Sequence, residues 1–273
     1  MINKQLLKKR FSKHAKTYDE YAHVQKTMAK QLTDSLPQHL VEQQINILEI
    51  GCGSGYLTHL LCKAFPKARI LAIDLAPGMI DVAQERIQEE RVTFLCGDIE
   101  EIVLTGSYDL ILSNATFQWL NHPRRVIQRL FTLLKPDGIF AFSTFGAKTF
   151  QELHAAYQQA KEKLGLQLSS SPGQSFYSLE ELDTLCKQVL NSSNPCSFEI
   201  IKTEQLELEY FPSTRAFFNS IQKIGASNSN QEHSCQRPSF LRELMSLYEA
   251  HYRDEKGVRA TYHCLFITIV KGT

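Results

Sequence analysis

Three glycines, Gly51, Gly53 and Gly55, stand in ILEIGCGSGYLTHLL between a run of apolar, β-branched residues and a helical period. Glycine there lets the backbone take conformations closed to other residues, and lets a ligand approach the main chain where a Cβ would collide. The helix that follows offers unpaired N–H groups to an anionic ligand. The spacing is GxGxG, tighter than the GxGxxG of a dinucleotide fingerprint, and an acid, Glu49, precedes it. That combination suits a ligand with an amino-acid end better than one with a diphosphate. Asp74, nineteen residues past Gly55, closes the second strand-like run, where it can accept from two ribose hydroxyls. Asp98, in CGDIE, closes the third, where an exocyclic adenine amine could donate to it.

These residues need strands that end together. Short apolar runs recur at 45–50, 69–74, 92–97, 108–113 and 138–145. Between them Leu57, Leu60, Leu61 and Ala64, then Ile127, Leu130, Phe131 and Leu134, repeat with the period of a helix that has one apolar face. The alternation predicts an α/β fold with a parallel sheet covered by helices on both faces. Two further strands are expected at 197–210 and 261–270, the latter an antiparallel insertion into the sheet. Helices are expected at 148–164, 213–224 and 238–254. The breaker-rich 168–175 is read as lid material.

The motifs LEIGCGSGYLT, AIDLAPGMIDVAQ, CGDIEEI, YDLILSNATFQWL and LLKPDGIFAFSTF resemble those of the class I S-adenosylmethionine-dependent methyltransferases over residues 40–150. The resemblance implies a Rossmann-like, seven-stranded, mostly parallel sheet whose last strand is antiparallel. It divides the chain into a helical lid (1–40), a cofactor-binding core (41–147) and the rest of the sheet with helical substrate-binding insertions (148–273). It implies S-adenosylmethionine as cofactor and S-adenosylhomocysteine as product. Glu49, Gly51 and Gly53 would hold the methionine end and Asp74 the ribose, with Gly55 also in the cofactor-binding loop. Met79 would cover an adenine face, Asp98 and Ile99 its edge, and Asn114 would complete the set.

Three other segments, FSKHAKTYDEYAHVQ, FSTFGAKTFQELHAAY and STRAFFNSIQKIGASN, are similar to the malonyl-acyl carrier protein O-methyltransferases of biotin synthesis. The acceptor implied is the free carboxylate of a malonyl thioester on an acidic acyl carrier protein, or on coenzyme A. The loop after Gly225, ASNSNQEHSCQ, departs from that pattern. Leu7, Phe11, Ala15 and Tyr18 form an apolar stripe ending on a tyrosine, so the first helix can cover the cofactor cleft. Lys9, Lys13 and Lys16 lie away from that stripe and could dock the acidic carrier. Tyr18 and Arg215 are the expected catalytic groups, Arg215 because a guanidinium can grip one carboxylate oxygen while the other attacks. Tyr21, Phe117, Trp119 and Phe145 are expected to line the substrate pocket.

Composition narrows the alternatives. With 273 residues, 43% of them apolar, a substantial core is affordable, and a formal charge of +1 leaves electrostatic attraction to local patches such as the six Lys and Arg among the first sixteen residues. SNATFQWL stands where an amino-methyltransferase of nucleic acid would carry an Asn-Pro-Pro-Tyr-like motif, so no nucleic-acid partner is expected. Seven scattered cysteines without CxxC spacing, the absence of HExxH, and apolar runs too short to span a bilayer point to no disulfide framework, no metal and no membrane partner. A cytoplasmic monomer is expected. A methyltransferase of a free acid such as trans-aconitate or of a quinone precursor, a nicotinamide oxidoreductase, and a nucleoside-binding regulator without turnover stay open.

Overall fold

The computed structural model describes residues 1–166, 173–193, 196–224 and 238–273. The loop after Gly225 and most of 168–175, both singled out in the sequence, lie outside them. The chain begins with helices α1 (Lys4–His14), α2 (Tyr18–Tyr21) and α3 (His23–Asp34). It continues through β1 (Asn46–Ile50), α4 (Tyr56–Ala64), β2 (Arg69–Asp74), α5 (Pro77–Arg86), β3 (Val92–Cys96), β4 (Tyr108–Asn114), α6 (Pro123–Thr132) and β5 (Leu134–Phe145). Then come α7 (Gln151–Lys163), α8 (Leu179–Ser193), β6 (Phe198–Phe211), α9 (Thr214–Lys223), α10 (Pro238–Tyr252), β7 (Arg253–Asp254) and β8 (Gly257–Lys271).

The strands form one sheet in the order β3-β2-β1-β4-β5-β8-β6. The first five are mutually parallel, and β8 runs antiparallel between β5 and β6, as the position of its run near the chain end suggested. The expected seven strands become eight, because the two-residue β7 pairs with the start of β8. Helix α8, which the sequence reading did not assign, carries its own apolar period through Leu182, Leu185, Cys186 and Val189. The central strands are covered on both faces, which is why they read as unbroken apolar runs. Buried residues of α3 and α4 pack one face of the sheet, and those of α6 and α8 the other.

Order reverses between β1 and β4: from β1 the chain crosses to β2 on one side, and later returns to β4 on the other. At such a switch point the loops leaving the two carboxyl ends diverge and open a crevice. Above it a third cluster, drawn from α7, α9, α10 and β8, walls off the far side.

The N-terminal segment lies across this crevice. Its apolar stripe is not one helix: α1 stops at His14, a 3-10 turn spans Ala15–Thr17, and α2 restarts at Tyr18. The amide of Ile2 donates to Asn121 Oδ1 (2.7 Å), and Lys4 pairs with Glu100 (2.6 Å). Helix α1 packs on α5 so closely that a Cβ on Gly78 would stand 2.8 Å from the Ser12 carbonyl oxygen. Asp19 accepts from Ser54 Oγ (2.6 Å) and pairs with Arg86, tying α2 to the glycine loop and to α5. Both partners of that ion pair are partly solvated, so its worth is modest. Asp19→Ala is expected to lower global stability by about 1 kcal/mol or less, yet to speed proteolytic cleavage within the first 25 residues. Unchanged cleavage kinetics would show that the strap is held by its apolar contacts alone.

Candidate active site

A cavity of about 470 Å³ occupies the crevice under the strap. Its first half is built by strand ends. Gly51, Gly53 and Gly55 all have positive φ (70°, 54° and 78°), which turns the chain from β1 into α4. A Cβ placed on Gly53 would meet nothing within 4 Å, so that backbone faces open space into which a ligand can come. Asp74 knits two strand ends together: Oδ2 accepts from the Gly53 amide (2.9 Å) and Oδ1 from the Ala76 amide (2.8 Å). Each carboxylate oxygen keeps a further lone pair. Burial pushes Asp74 up to about 6, and the two amides hold it back.

Asp98 follows β3; its Oδ1 accepts from the Glu100 amide (2.9 Å) and lies 3.4 Å from Lys4 Nζ. Met79, Asp98 and Ile99 line this end of the cavity, and Asn114 lines its floor. Asn114 is locked by its neighbours, donating to the Gln25 carbonyl (3.0 Å) and accepting from Ser143 Oγ (2.6 Å).

The second half is largely apolar. Phe145, Phe150, Leu153 and Phe176 line it together with Phe218 and Ile221 of α9 and Leu244 of α10. Gln118 is fixed between the Ala115 carbonyl, to which it donates (2.6 Å), and Thr144 Oγ1, from which it accepts (2.9 Å). Tyr18 also lines the cavity, close enough to Asp74 for that carboxylate's charge to act on its phenol. Burial raises its phenol above the ordinary value, with the charges of Asp19 and Asp74 adding to the effect, so it is a protonated donor at neutral pH.

Residues 48–142 match the model of a family described as methyltransferase domain. The malonyl-[acyl-carrier protein] O-methyltransferase of Priestia megaterium is 59% identical over 271 residues, covering 99% of both chains. The chain belongs to that family. The proteins of the same name from Bacillus cereus and Acetivibrio thermocellus are 47% and 46% identical, covering 99% and 98% of this chain and 98% and 94% of theirs. Among solved structures the fold is shared with YcgJ from Bacillus subtilis (TM-score 0.60, 14% identity, 90% of this chain and 99% of that one). It is shared also with the plantazolicin methyltransferase BpumL in complex with SAH (TM-score 0.55, 17% identity, 99% and 95%).

The cofactor of this methyltransferase family is S-adenosylmethionine, and the first half of the cavity fits it. Open space over Gly53, unused lone pairs on Asp74 and a carboxylate at Asp98 match an amino-acid end, a ribose and an adenine amine. Glu49 is wholly buried behind the loop rather than on the cavity wall. Among the described residues neither of its oxygens has a well-formed hydrogen bond. Burial pushes it up to about 8; Thr58 draws it back only in part, and the charge of Asp74 adds to the rise.

Glu49, behind the loop, is the first of five expectations that the structure corrects. Gly55 is turned from the cavity, and a Cβ on it would meet Ala83 of α5 at 3.1 Å, so it serves close packing. Phe117 belongs to the core, stacked on Phe142 with ring centroids 4.1 Å apart. Tyr21 does not line the cavity. Arg215 is exposed on α9 and likewise does not line it, because the inward positions of that helix are taken by Phe218, Ile221 and Gln222.

Trp119 and Phe145 do line the cavity, Trp119 meeting Phe11 of the strap edge-on at 5.8 Å. Lys9, Lys13 and Lys16 are exposed on the outer side of the strap. Sequence reading missed Lys4, Gln25, Gln118, His154 and Tyr157, which all reach the cavity. For the last two a signal existed: Phe150, Leu153, His154 and Tyr157 share one helical face.

Ribose hydroxyls on Asp74, and an ammonium over the loop whose charge reaches Glu49 behind it, would both favour the ionised carboxylates, so ligand binding should release protons wherever these acids are protonated in the protein alone. Affinity for S-adenosylhomocysteine is therefore expected to rise with pH and level off above about 8, falling by up to about tenfold per pH unit below it. Calorimetry in buffers of different ionisation heat reads the released protons. A flat affinity between about pH 6 and 9 would place the ammonium away from Glu49.

Proposed function

We propose that the protein transfers a methyl group from S-adenosylmethionine to the free carboxylate of a malonyl thioester on an acyl carrier protein, an early esterification in biotin synthesis. One observation carries the reading: a donor site of the expected make-up opens directly into an apolar chamber, in a chain similar end to end to relatives that bear that activity as their name.

When bound, the cofactor supplies an electrophilic methyl on a positively charged sulfur. A carboxylate is already ionised at neutral pH, so the chain needs no general base. Its residues have two tasks, to exclude water and to align the acceptor. The strap and the aromatic walls do the first. Gln118, fixed at both ends of its amide, and the phenol of Tyr18 can do the second, and such positioning is worth roughly 7 to 11 kcal/mol in favourable cases. Esterification suits the next chemistry, because enzymes that extend an acyl chain bury its far end in apolar pockets where an unpaired carboxylate is costly.

The carrier would dock on the basic rim. Lys9, Lys13 and Lys16 are exposed on one side of the mouth, Arg215 and Lys223 on α9 on the other. The two sides are close, since the charges of both Lys13 and Lys223 help to depress His14, after its burial. Such a rim steers an acidic partner, with a rate that falls as salt rises. In this reading Arg215 is a docking group, and the enzyme works as a single chain in the cytoplasm.

Transfer of labelled methyl to malonyl-carrier protein, malonyl-coenzyme A, free malonate and trans-aconitate, compared at low and high salt, tests the reading. Preference for the carrier that fades with salt is expected; no transfer to any malonyl thioester would sink it. Lys13→Glu combined with Lys16→Glu should raise KM for the carrier by about five- to tenfold at low salt, with little change for malonyl-pantetheine. Tyr18→Phe should lower turnover while leaving the melting temperature near wild type; normal rates would return Tyr18 to a packing role.

A further inference from the structure

Ser143 and Thr144 are adjacent on β5, and each donates its hydroxyl to the amide oxygen of a residue that lines the cavity. Ser143 Oγ donates to Asn114 Oδ1 (2.6 Å), and Thr144 Oγ1 to Gln118 Oε1 (2.9 Å). The other end of each amide meets a main-chain carbonyl, that of Gln25 for Asn114 (3.0 Å) and that of Ala115 for Gln118 (2.6 Å). A carbonyl oxygen only accepts, so the group facing it must be the NH2, and the direction of both amides is settled.

At Gln118 the backbone is bent to make this possible. Ala115 has φ of 48°, in the left-handed region that residues with a Cβ rarely adopt. Its own amide is held by the Ser143 carbonyl (3.0 Å) and by Ser143 Oγ (3.3 Å). Strain of this kind persists where the surroundings over-determine it. Gln118 sits just beyond, on the 3-10 turn Phe117–Trp119. It is 8% exposed and Thr144 3%, so an unmatched polar atom at either would be costly. The same loop abuts the donor half of the cavity, since a Cβ on Gly51 would collide with the Thr116 side chain.

An amide NH2 carries two hydrogens. The Ala115 carbonyl takes one from Gln118 Nε2, and among the described residues the other has no acceptor. We propose that this spare N–H holds the carboxyl group of the acceptor beside the methyl donor, and that Thr144 is the positioning residue that keeps it aimed. The proposal rests on the methyl-transfer reading above and assigns that reaction its acceptor contact.

A neutral donor suits both sides of the reaction. One carboxylate oxygen forms the bond to the methyl carbon, the sulfur–methyl bond breaks, its electron pair stays on sulfur, and no proton moves. The second oxygen accepts from Gln118 throughout, as part of a carboxylate before transfer and as the ester carbonyl after it. A hydrogen bond to a charged oxygen is stronger than one to a neutral carbonyl, so substrate is held more firmly than product. A lysine or arginine in this place would draw charge from the attacking oxygen, and the neutral ester would leave it buried and unpaired.

The test uses the full chain, with malonyl-carrier protein as acceptor. Gln118→Glu keeps the shape of the side chain; protonated it keeps both internal bonds, and in neither protonation state has it a spare donor. It should lower kcat/KM by roughly 10- to 100-fold, with affinity for S-adenosylhomocysteine, read by calorimetry, near wild type. Thr144→Val, which removes only the hydroxyl, should lower kcat/KM by about five- to twentyfold, again without change in that affinity, and Thr144→Ser should restore most of the loss. Because Thr144 acts through Gln118, combining Gln118→Glu with Thr144→Val should cost little more than Gln118→Glu alone. Losses that multiply overturn the role of Thr144, and wild-type kcat/KM in Gln118→Glu overturns the proposal as a whole. Should one of the two single variants fold poorly, the other decides, with Thr144→Ser as its control: activity equal to that of Thr144→Ser overturns the proposal. A wild-type chain that binds S-adenosylhomocysteine but methylates no malonyl thioester overturns the underlying reading instead, which separates the two failures.

Discussion

The buried carboxylate of Asp74 joins the parts on which everything else in the site depends. It accepts one amide from the glycine loop after β1 and another from the turn after β2, so that two adjacent strand ends share one anion. Burial makes that anion costly, which is why it is raised to about 6, and the two amides stabilise it without exhausting its lone pairs. The same carboxylate therefore shapes the loop and stays able to take ligand hydroxyls. Removing it would loosen the loop and take away the lone pairs it can offer to ligand hydroxyls.

A second constraint is the topology of the sheet. Crevices open where strand order reverses, and here β1 and β4 part between α4 on one side and the loop through Trp119 on the other. A crevice alone is open to water, and methylating a carboxylate requires that water be kept from the site. The strap closes it from one side and the aromatic cluster of α7, α9 and α10 from another. Each closure is made by contacts far apart in sequence: Ile2 with Asn121, Asp19 with Ser54 and Arg86, Phe11 with Trp119.

The distribution of charge divides labour between surface and interior. The basic residues of the strap and of α9 are exposed at the rim, where solvent screens them and where they can steer a partner without a large desolvation cost. The half of the cavity away from the strand ends is lined mostly by aromatic and aliphatic side chains among the described residues. Arg215 illustrates the division. Its charge is compatible with an anionic acceptor, but on α9 the inward turns go to Phe218, Ile221 and Gln222, and the guanidinium is left in water.

The donor half of the site was legible from residues alone because strand ends are local features. A buried run followed by glycines, or by an aspartate, places a backbone turn or a carboxylate at the edge of the sheet whatever the rest of the chain does, and Gly51, Gly53, Asp74, Asp98 and Ile99 all sit where that rule puts them. Types of residue could not say which side of an element would face inward. Phe117 is as aromatic as Trp119 two positions on, yet one stacks in the core on Phe142 and the other meets the strap. Glu49 looked like a ligand residue and lies behind the loop, since alternation along β1 turns it away from the wall that Ile50 lines. What the sequence determined by itself was the order of strands and helices, the glycine turn and the acids at the strand ends, all set by periodicity and by backbone conformations that few residues allow. What only the tertiary structure decided was the apolar half of the cavity, because Gln118, Phe176 and Phe218 come to line one space through packing between segments with no local signature of their meeting.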